Sequence, residues 1–346
     1  MTNKRTELNE LGEFGLINRI SKDIKLVQPS TFLGVGDDAA VIDINTDEYM
    51  LLSSDMLLEG VHFDLTYTPL MHLGYKSVAV NISDIAAMNG VPKQITVNIG
   101  LSNRFSVEAV DELYKGIKLA CNDYGVDLVG GDTTSSLSGL VISVSVIGKV
   151  NKGCLSKRSG AAPDQVVAVT GDLGAAFLGL KVLQREKQEF KENPDMKPRL
   201  QDYDYVVRRQ LKPGARTDII YEMDELGVVP KAMIDVSDGL ASELIHIAES
   251  SGVGIKIYEE TLPMDRNALE VAMEFDLNPT TCMLNGGEDY ELLMVIDLED
   301  KEKLENLPDL HFIGITTKKE EGNFLITRNM QQIHLKAQGW SHINKD

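Results

Sequence analysis

The chain is poor in the features that mark secreted, membrane or nucleic-acid-binding proteins. It has three cysteines, Cys121, Cys154 and Cys282, scattered and without a CxxC pair. That excludes a zinc knuckle and a disulfide framework, and makes a reducing cytoplasm the expected setting. Basic residues are scarce: 34 Lys and Arg stand against 53 Asp and Glu, for a net charge of −19. Duplex nucleic acid and anionic membranes need basic patches, so neither is expected as the main partner. A phosphorylated substrate stays open, provided bound cations mediate the contact. No uninterrupted apolar run reaches the roughly 18 residues of a membrane span. The first residues, Met1–Leu8, contain no apolar signal core. Several motifs are missing too: GxxxxGK[ST], GxGxxG, the HRD and DFG pair, GxSxG and HExxH. A P-loop, a dinucleotide site, a protein kinase, a serine hydrolase and a zinc protease therefore have no support. The six histidines do not cluster at metal-ligand spacing.

What is present suits a globular protein. Hydrophobic residues make up 43% of the 346, and at about 150 residues per domain the length predicts two domains. Apolar spacing predicts a short helix over 11–20 and a hairpin from Ala39 to Leu52 that turns at Asn45–Asp47. It further predicts helices over 70–88 and 106–124, the latter capped by Ser106, and strands over 94–101 and 140–150. The texture changes to Ser, Lys, Arg, Gly and Pro near Ser156–Pro163, which places the expected boundary between residues 1–150 and 151–346. Beyond it, strands are expected over 166–170, 232–236 and 291–296, and helices over 174–183, 216–226 and 240–250. The polar segment 184–204 reads as a solvated insertion or a helical extension. Strands and helices mix in both halves, which favours α+β or α/β.

The acidic excess is concentrated beside Gly, Ser or Thr at the ends of apolar segments. The blocks are Gly36-Asp37-Asp38, Ser53-Ser54-Asp55, Ser83-Asp84, Gly130-Gly131-Asp132, Asp235-Val236-Ser237-Asp238-Gly239 and Gly286-Gly287-Glu288-Asp289-Tyr290. Any one of them is accounted for as a turn former or helix cap. Six together fit a hard-cation site, because magnesium takes carboxylate and phosphate oxygens. Gly-Gly before an acid lets the backbone approach a phosphate. Asn81 and Asp84, three apart, share one polar helix face, for which solvent is a sufficient explanation.

In order along nearly the whole chain, GVGDDAAV, SSDMLLEGVHF, YKSVAVNISDIAAMNGVP, LVGGDTT, SKRSGA, IDVSDGL and GGEDYEL give a sequence that resembles the thiamine-monophosphate kinases. These belong to the superfamily of aminoimidazole-ribonucleotide synthetase. The resemblance implies a two-domain PurM-like α+β fold, with an N-terminal mixed-sheet domain that pairs in a homodimer and a C-terminal α/β domain. It implies magnesium, ATP as co-substrate and thiamine monophosphate as acceptor. By motif position it implies metal ligands at Asp38, Ser53, Ser54, Asp55, Asp84, Asp132, Asp235 and Asp238, of which Asp38, Asp55, Asp84, Asp132 and Asp235 would be the catalytic acids. Nucleotide contacts would be Tyr114, Gly131, Asp132, Arg158 and Ser237, and substrate contacts His62, Glu288 and Trp340. The family's usual Ser-Thr-Asp is Ser53-Ser54-Asp55 here, and Met56 replaces the hydroxyl residue that usually follows. Two other readings accommodate the same acids: another ATP-using enzyme of the superfamily, or a non-catalytic protein that binds divalent ions.

Overall fold

The computed structural model describes residues 8–195 and 198–339. The N-terminal part comprises α1 (Leu8–Ser21), β1 (Thr31–Leu33), β2 (Ala40–Asp43), β3 (Glu48–Leu58), α2 (Leu70–Ala87), β4 (Val91–Leu101), α3 (Val107–Tyr124), β5 (Asp127–Ser135) and β6 (Val141–Asn151). Its six strands form one sheet in the order β1-β2-β3-β6-β4-β5, antiparallel except for the β4–β5 pair. The C-terminal part comprises β7 (Val166–Thr170), α4 (Ala175–Glu192), α5 (Asp204–Leu211), α6 (Thr217–Leu226), β8 (Ala232–Asp235), α7 (Leu240–Ser251), β9 (Val253–Tyr258), α8 (Arg266–Glu274) and α9 (Pro279–Asn285). It continues with β10 (Leu292–Ile296), α10 (Lys301–Leu304), β11 (Leu310–Lys318), β12 (Asn323–Ile326) and β13 (Gln332–His334). These seven strands order as β13-β12-β9-β11-β7-β10-β8, and among their described pairings only β12–β9 is parallel. The fold is α+β. No described helix is long and apolar enough to cross a membrane.

Segment 184–204 is in part a helical extension, since α4 continues to Glu192. The short helix near the N-terminus is broken, because Gly12 sits at φ 69°, ψ 178° within α1. The blocks of acids do not all lie at element ends: Asp55 is in the middle of the eleven-residue β3, and Asp132 in the middle of β5.

Helix α2 joins the two halves. Fourteen of its eighteen residues are buried, as expected of a helix with protein on every side. Val78, Ile82 and Ile85 enter the core of the first sheet, while Ala86 and Ala87 pack with Val166, Ala168, Met233 and Met294 of the second. Its contact with α3 is close enough to exclude a side chain at two glycines. A Cβ on Gly74 would stand 2.0 Å from the carbonyl oxygen of Leu113, and one on Gly116 1.9 Å from that of Met71. Backbone cannot yield as a flexible side chain can, so the helices would have to separate. Gly116→Ala is therefore expected to destabilise the fold by about 3 kcal/mol or more, read as a fall in denaturation midpoint. An unchanged midpoint would show that the helices part freely.

Candidate active site

Register decides which acids can meet. In β3, Ser53 and Asp55 lie opposite Val146 and Val144 of β6, and both valines are buried beneath the helices. Alternation then turns Ser54 and Met56 to the other face, where Ser54 Oγ lies 2.9 Å from Ser145 Oγ and Met56 is exposed. Asp55 is tied to α2 by its backbone N–H, which donates to Asn81 Oδ1 at 3.0 Å. The polar face of Asn81 and Asp84 is thus in contact with β3: Asn81 is 1% exposed, while Asp84 stays partly open to the cavity. One helical turn on, Ser53 Oγ donates to Asp84 Oδ2.

Asp38, ahead of β2, and Asp235, at the end of β8, complete a cluster with Asp84. Each offers one carboxylate oxygen, and the three lie within 4.8 Å of one another. Ser83 Oγ donates to Asp235 at 2.6 Å. Arg158 approaches from the segment between the sheets, its Nη2 2.6 Å from Asp38 Oδ1. It also donates its backbone N–H to Asp37 at 3.1 Å. Burial is the largest influence on every carboxyl here. It pushes Asp37 up to about 6, reinforced by the neighbouring Asp38 charge, and Asp235 up to about 7. Asp38 and Asp55 are raised, and Asp84 well above its ordinary value, with the charges of Asp55, Asp235 and Asp38 adding to its burial.

The residues fit a divalent cation. Asp38 Oδ2 is buried and accepts no hydrogen bond among the described residues, an arrangement that costs free energy unless something positive sits there. All the converging donors are hard oxygens, the set that magnesium takes.

Two loops carry the cluster into a cavity of about 730 Å³. The loop after β8 and the loop before β10 are stitched by backbone: Glu288 N–H donates to Ser237 O at 2.6 Å, and Tyr290 N–H to Val236 O at 2.9 Å. Glu288 and Tyr290 both have left-handed backbones, at φ 57° and 53°, a conformation that costs free energy in non-glycine residues and concentrates at functional sites. Asp55, Asp84, Asp235, Ser237 and Asp238 line the cavity, as do His62 and Glu288. His62 Nδ1 accepts from Leu58 N–H at 3.0 Å, fastening the ring to the end of β3. Asp289 points elsewhere, accepting from Gly174 and Ala176 N–H groups at 2.7 and 3.2 Å to cap α4.

The other expected contacts lie apart. Asp132 shares a register row with Asn98, which is exposed on the sheet face turned away from α2. Gly131 is needed for its own strand, since a Cβ there would stand 1.8 Å from Val97 O. Tyr114 is partly buried on α3 against the first core and does not line the cavity. Trp340 lies outside the described residues, although Gly339 lines the cavity. Among the lining residues that were absent from the expected contacts are Lys76, Gln210 and Tyr290. A lysine in line with Val80 and Asp84 at helical spacing was the available signal for Lys76. Gln210 lies on α5, a helix that the apolar spacing did not reveal.

Comparison places this architecture among the AIR synthase related proteins. The AIR synthase related N-terminal domain matches residues 36–150, and the corresponding C-terminal domain matches residues 162–326. The thiamine-monophosphate kinase of Bacillus subtilis is 34% identical over 339 residues, covering 96% of this chain and 99% of that one. A solved structure described as AaThiL complexed with AMPPCP and TMP superposes with a TM-score of 0.83 at 32% identity, covering 98% of this chain and all of that one. The thiamine monophosphate kinase structure from Aquifex aeolicus gives 0.77 at 31% identity, covering 95% and 100%. The chain belongs to the thiamine-monophosphate kinase family.

A metal test follows from the carboxyl shifts. The unfolded chain releases aspartate protons near pH 4, whereas folded Asp235 holds its proton up to about 7. The stability these raised groups contribute is therefore full below about pH 4 and lost as pH climbs to about 7. Without metal, Asp84→Asn should melt above the wild type at about pH 8, by a margin that shrinks toward about pH 5. The rise in melting temperature on adding Mg2+ should be smaller in the variant. Thermal scans across this range, with and without Mg2+, read both effects, and an equal Mg2+ response would remove Asp84 from the ligand set.

Proposed function

We propose that the protein transfers the γ-phosphoryl group of ATP to thiamine monophosphate, giving ADP and thiamine diphosphate. The observation that carries this reading is the buried convergence of Asp38, Asp84 and Asp235 beside a cavity lined by His62 and Glu288, in a chain of this family. The complex of AaThiL with AMPPCP and TMP supports it.

The acceptor is a phosphate monoester whose oxygen is already largely ionised near neutral pH, its second pKa being about 6. The chain therefore needs no base to activate it. Its task is to bring a dianion against a triphosphate and keep them in line. Asp38, Asp55, Asp84 and Asp235 would hold magnesium, with Ser53 and Asp238 as further ligands on the same side, whereas Ser54 and Asp132, which face away from this cluster, would hold it only at a separate position on the outer sheet face. Bound there, the metal supplies neutralisation of phosphate charge. Arg158, already oriented by Asp38, would contact the nucleotide, as would Ser237, Tyr114 and Gly131. His62, Glu288 and Trp340 would hold the acceptor. Transfer is direct, with no phosphoenzyme. Separation of products by chromatography should show thiamine diphosphate and ADP in equal amounts. A chiral thiophosphate donor should give net inversion at phosphorus. ADP without thiamine diphosphate would overturn the acceptor, and net retention would overturn direct transfer.

The reading includes a cytoplasmic homodimer. Every residue of β5 is exposed in the single chain, unusual for a nine-residue strand. Leu52 and Met56, on the outward face of β3, and Val129 of β5 are exposed too, Met56 at 54%. Exposed apolar side chains grouped on one sheet face mark an interaction surface. Light scattering after size exclusion should give twice 38.1 kDa, and Leu52→Glu, on the outward face and outside the cavity lining, should shift the protein toward the monomer. A wild-type monomer at micromolar concentration would count against the pairing.

A further inference from the structure

Lys76 is a buried ammonium that the phosphoryl-transfer chemistry above leaves without a task. It is 3% exposed, in the middle of α2. Its Nζ lies 2.8 Å from Glu288 Oε1 and donates to the backbone oxygen of Gln210 at 3.2 Å. The other carboxylate oxygen, Oε2, accepts from Gln210 Nε2 at 2.7 Å. Both oxygens of Glu288 are thus gripped from behind, one by α2 and the other by α5, on a loop residue whose backbone is itself left-handed. A carboxylate so held cannot turn about its terminal bond without losing a charged contact.

The helix also sets a distance. Lys76, Val80 and Asp84 recur every fourth residue, so they form one stripe along α2, and all three line the same cavity. Eight residues of helix separate the Cα atoms of Lys76 and Asp84 by about 12 Å. One rigid element therefore bears the acid cluster at one end and the clamp on Glu288 at the other. Tyr290 lines the same cavity, its phenol raised by burial and by the charges of Glu288 and the aspartates.

We propose that Lys76 is a positioning residue that fixes Glu288 at a set distance from the acid cluster, so that the end of the acceptor remote from its phosphate is selected there. The group Glu288 would take is a hydrogen-bond donor or a cation. The proposal rests on the kinase reading above. An acceptor that fills the span engages both ends at once, whereas a shorter phosphate monoester engages only the acid end and loses the selection.

The test compares thiamine monophosphate with its truncated thiazole phosphate in wild type, Lys76→Met, Glu288→Gln and the double variant. The wild type is first shown to convert thiamine monophosphate; if it does not, the kinase reading fails and the clamp is judged by binding of the two phosphates alone. Lys76→Met should raise the KM for thiamine monophosphate by about tenfold or more, leave the KM for Mg-ATP unchanged, and barely alter use of the truncated acceptor. In the Glu288→Gln background the same change should add little, because the lysine acts through that carboxylate. Should Lys76→Met not fold, Gln210→Leu removes the opposite donor and should move the same KM. Equal losses for both acceptors, a raised KM for Mg-ATP, or additive effects in the double variant would overturn the proposal.

Discussion

Carboxylates gathered away from water repel one another, and the placement of the surrounding elements answers to that repulsion. At 4.8 Å, the upper limit of the separations in the cluster, two ionised groups oppose each other by about 3.5 kcal/mol at an effective dielectric of about 20. Three such pairs approach the whole stability of an ordinary domain, about 5–15 kcal/mol. The chain offers Arg158 as the guanidinium against the cluster, on one oxygen of Asp38, with serine hydroxyls on Asp84 and Asp235. Protons or bound cations must meet the remainder, which is why the raised carboxyls and the buried unpaired oxygen of Asp38 describe one property of the site.

Helix α2 makes this convergence possible. It takes its apolar contacts from both sheets and its polar contacts from β3, from β8 and from the loop before β10. Because it is close-packed on α3 through glycine, the side chains it presents to the cavity have little freedom to drift. The acid end and the Glu288 end are therefore parts of one stiff body.

The identities of the acids were legible from their Gly, Ser and Thr neighbours, and most core elements from apolar spacing. Their distribution over two sheet faces was not, because it depends on strand register. The polar run Ser53-Ser54-Asp55 hid the continuation of β3, whose inward positions are occupied by functional groups in place of apolar ones. Strand β5 escaped for a related reason: an exposed edge strand with two glycines carries no alternating pattern. Helix α5, eight residues long and with adjacent arginines, has too few turns to show a period. Its Arg209 holds Glu291 at 2.8 Å while the next residue, Gln210, holds Glu288, a division of labour that only the folded arrangement displays.

The alternation within β3 limits how this protein can change length over evolutionary time. Ser53 and Asp55 serve one side of a single strand, and Ser54 and Met56 the other. Inserting or deleting one residue inside the strand would exchange the two sets, sending the site's aspartate outward and a methionine into the acid cluster. Lineages can absorb indels at the Asn45–Asp47 turn or in the connection after Leu58. Within the strand itself, single-residue gaps are barred, and only changes that keep the parity of the chain could be inherited by a working enzyme.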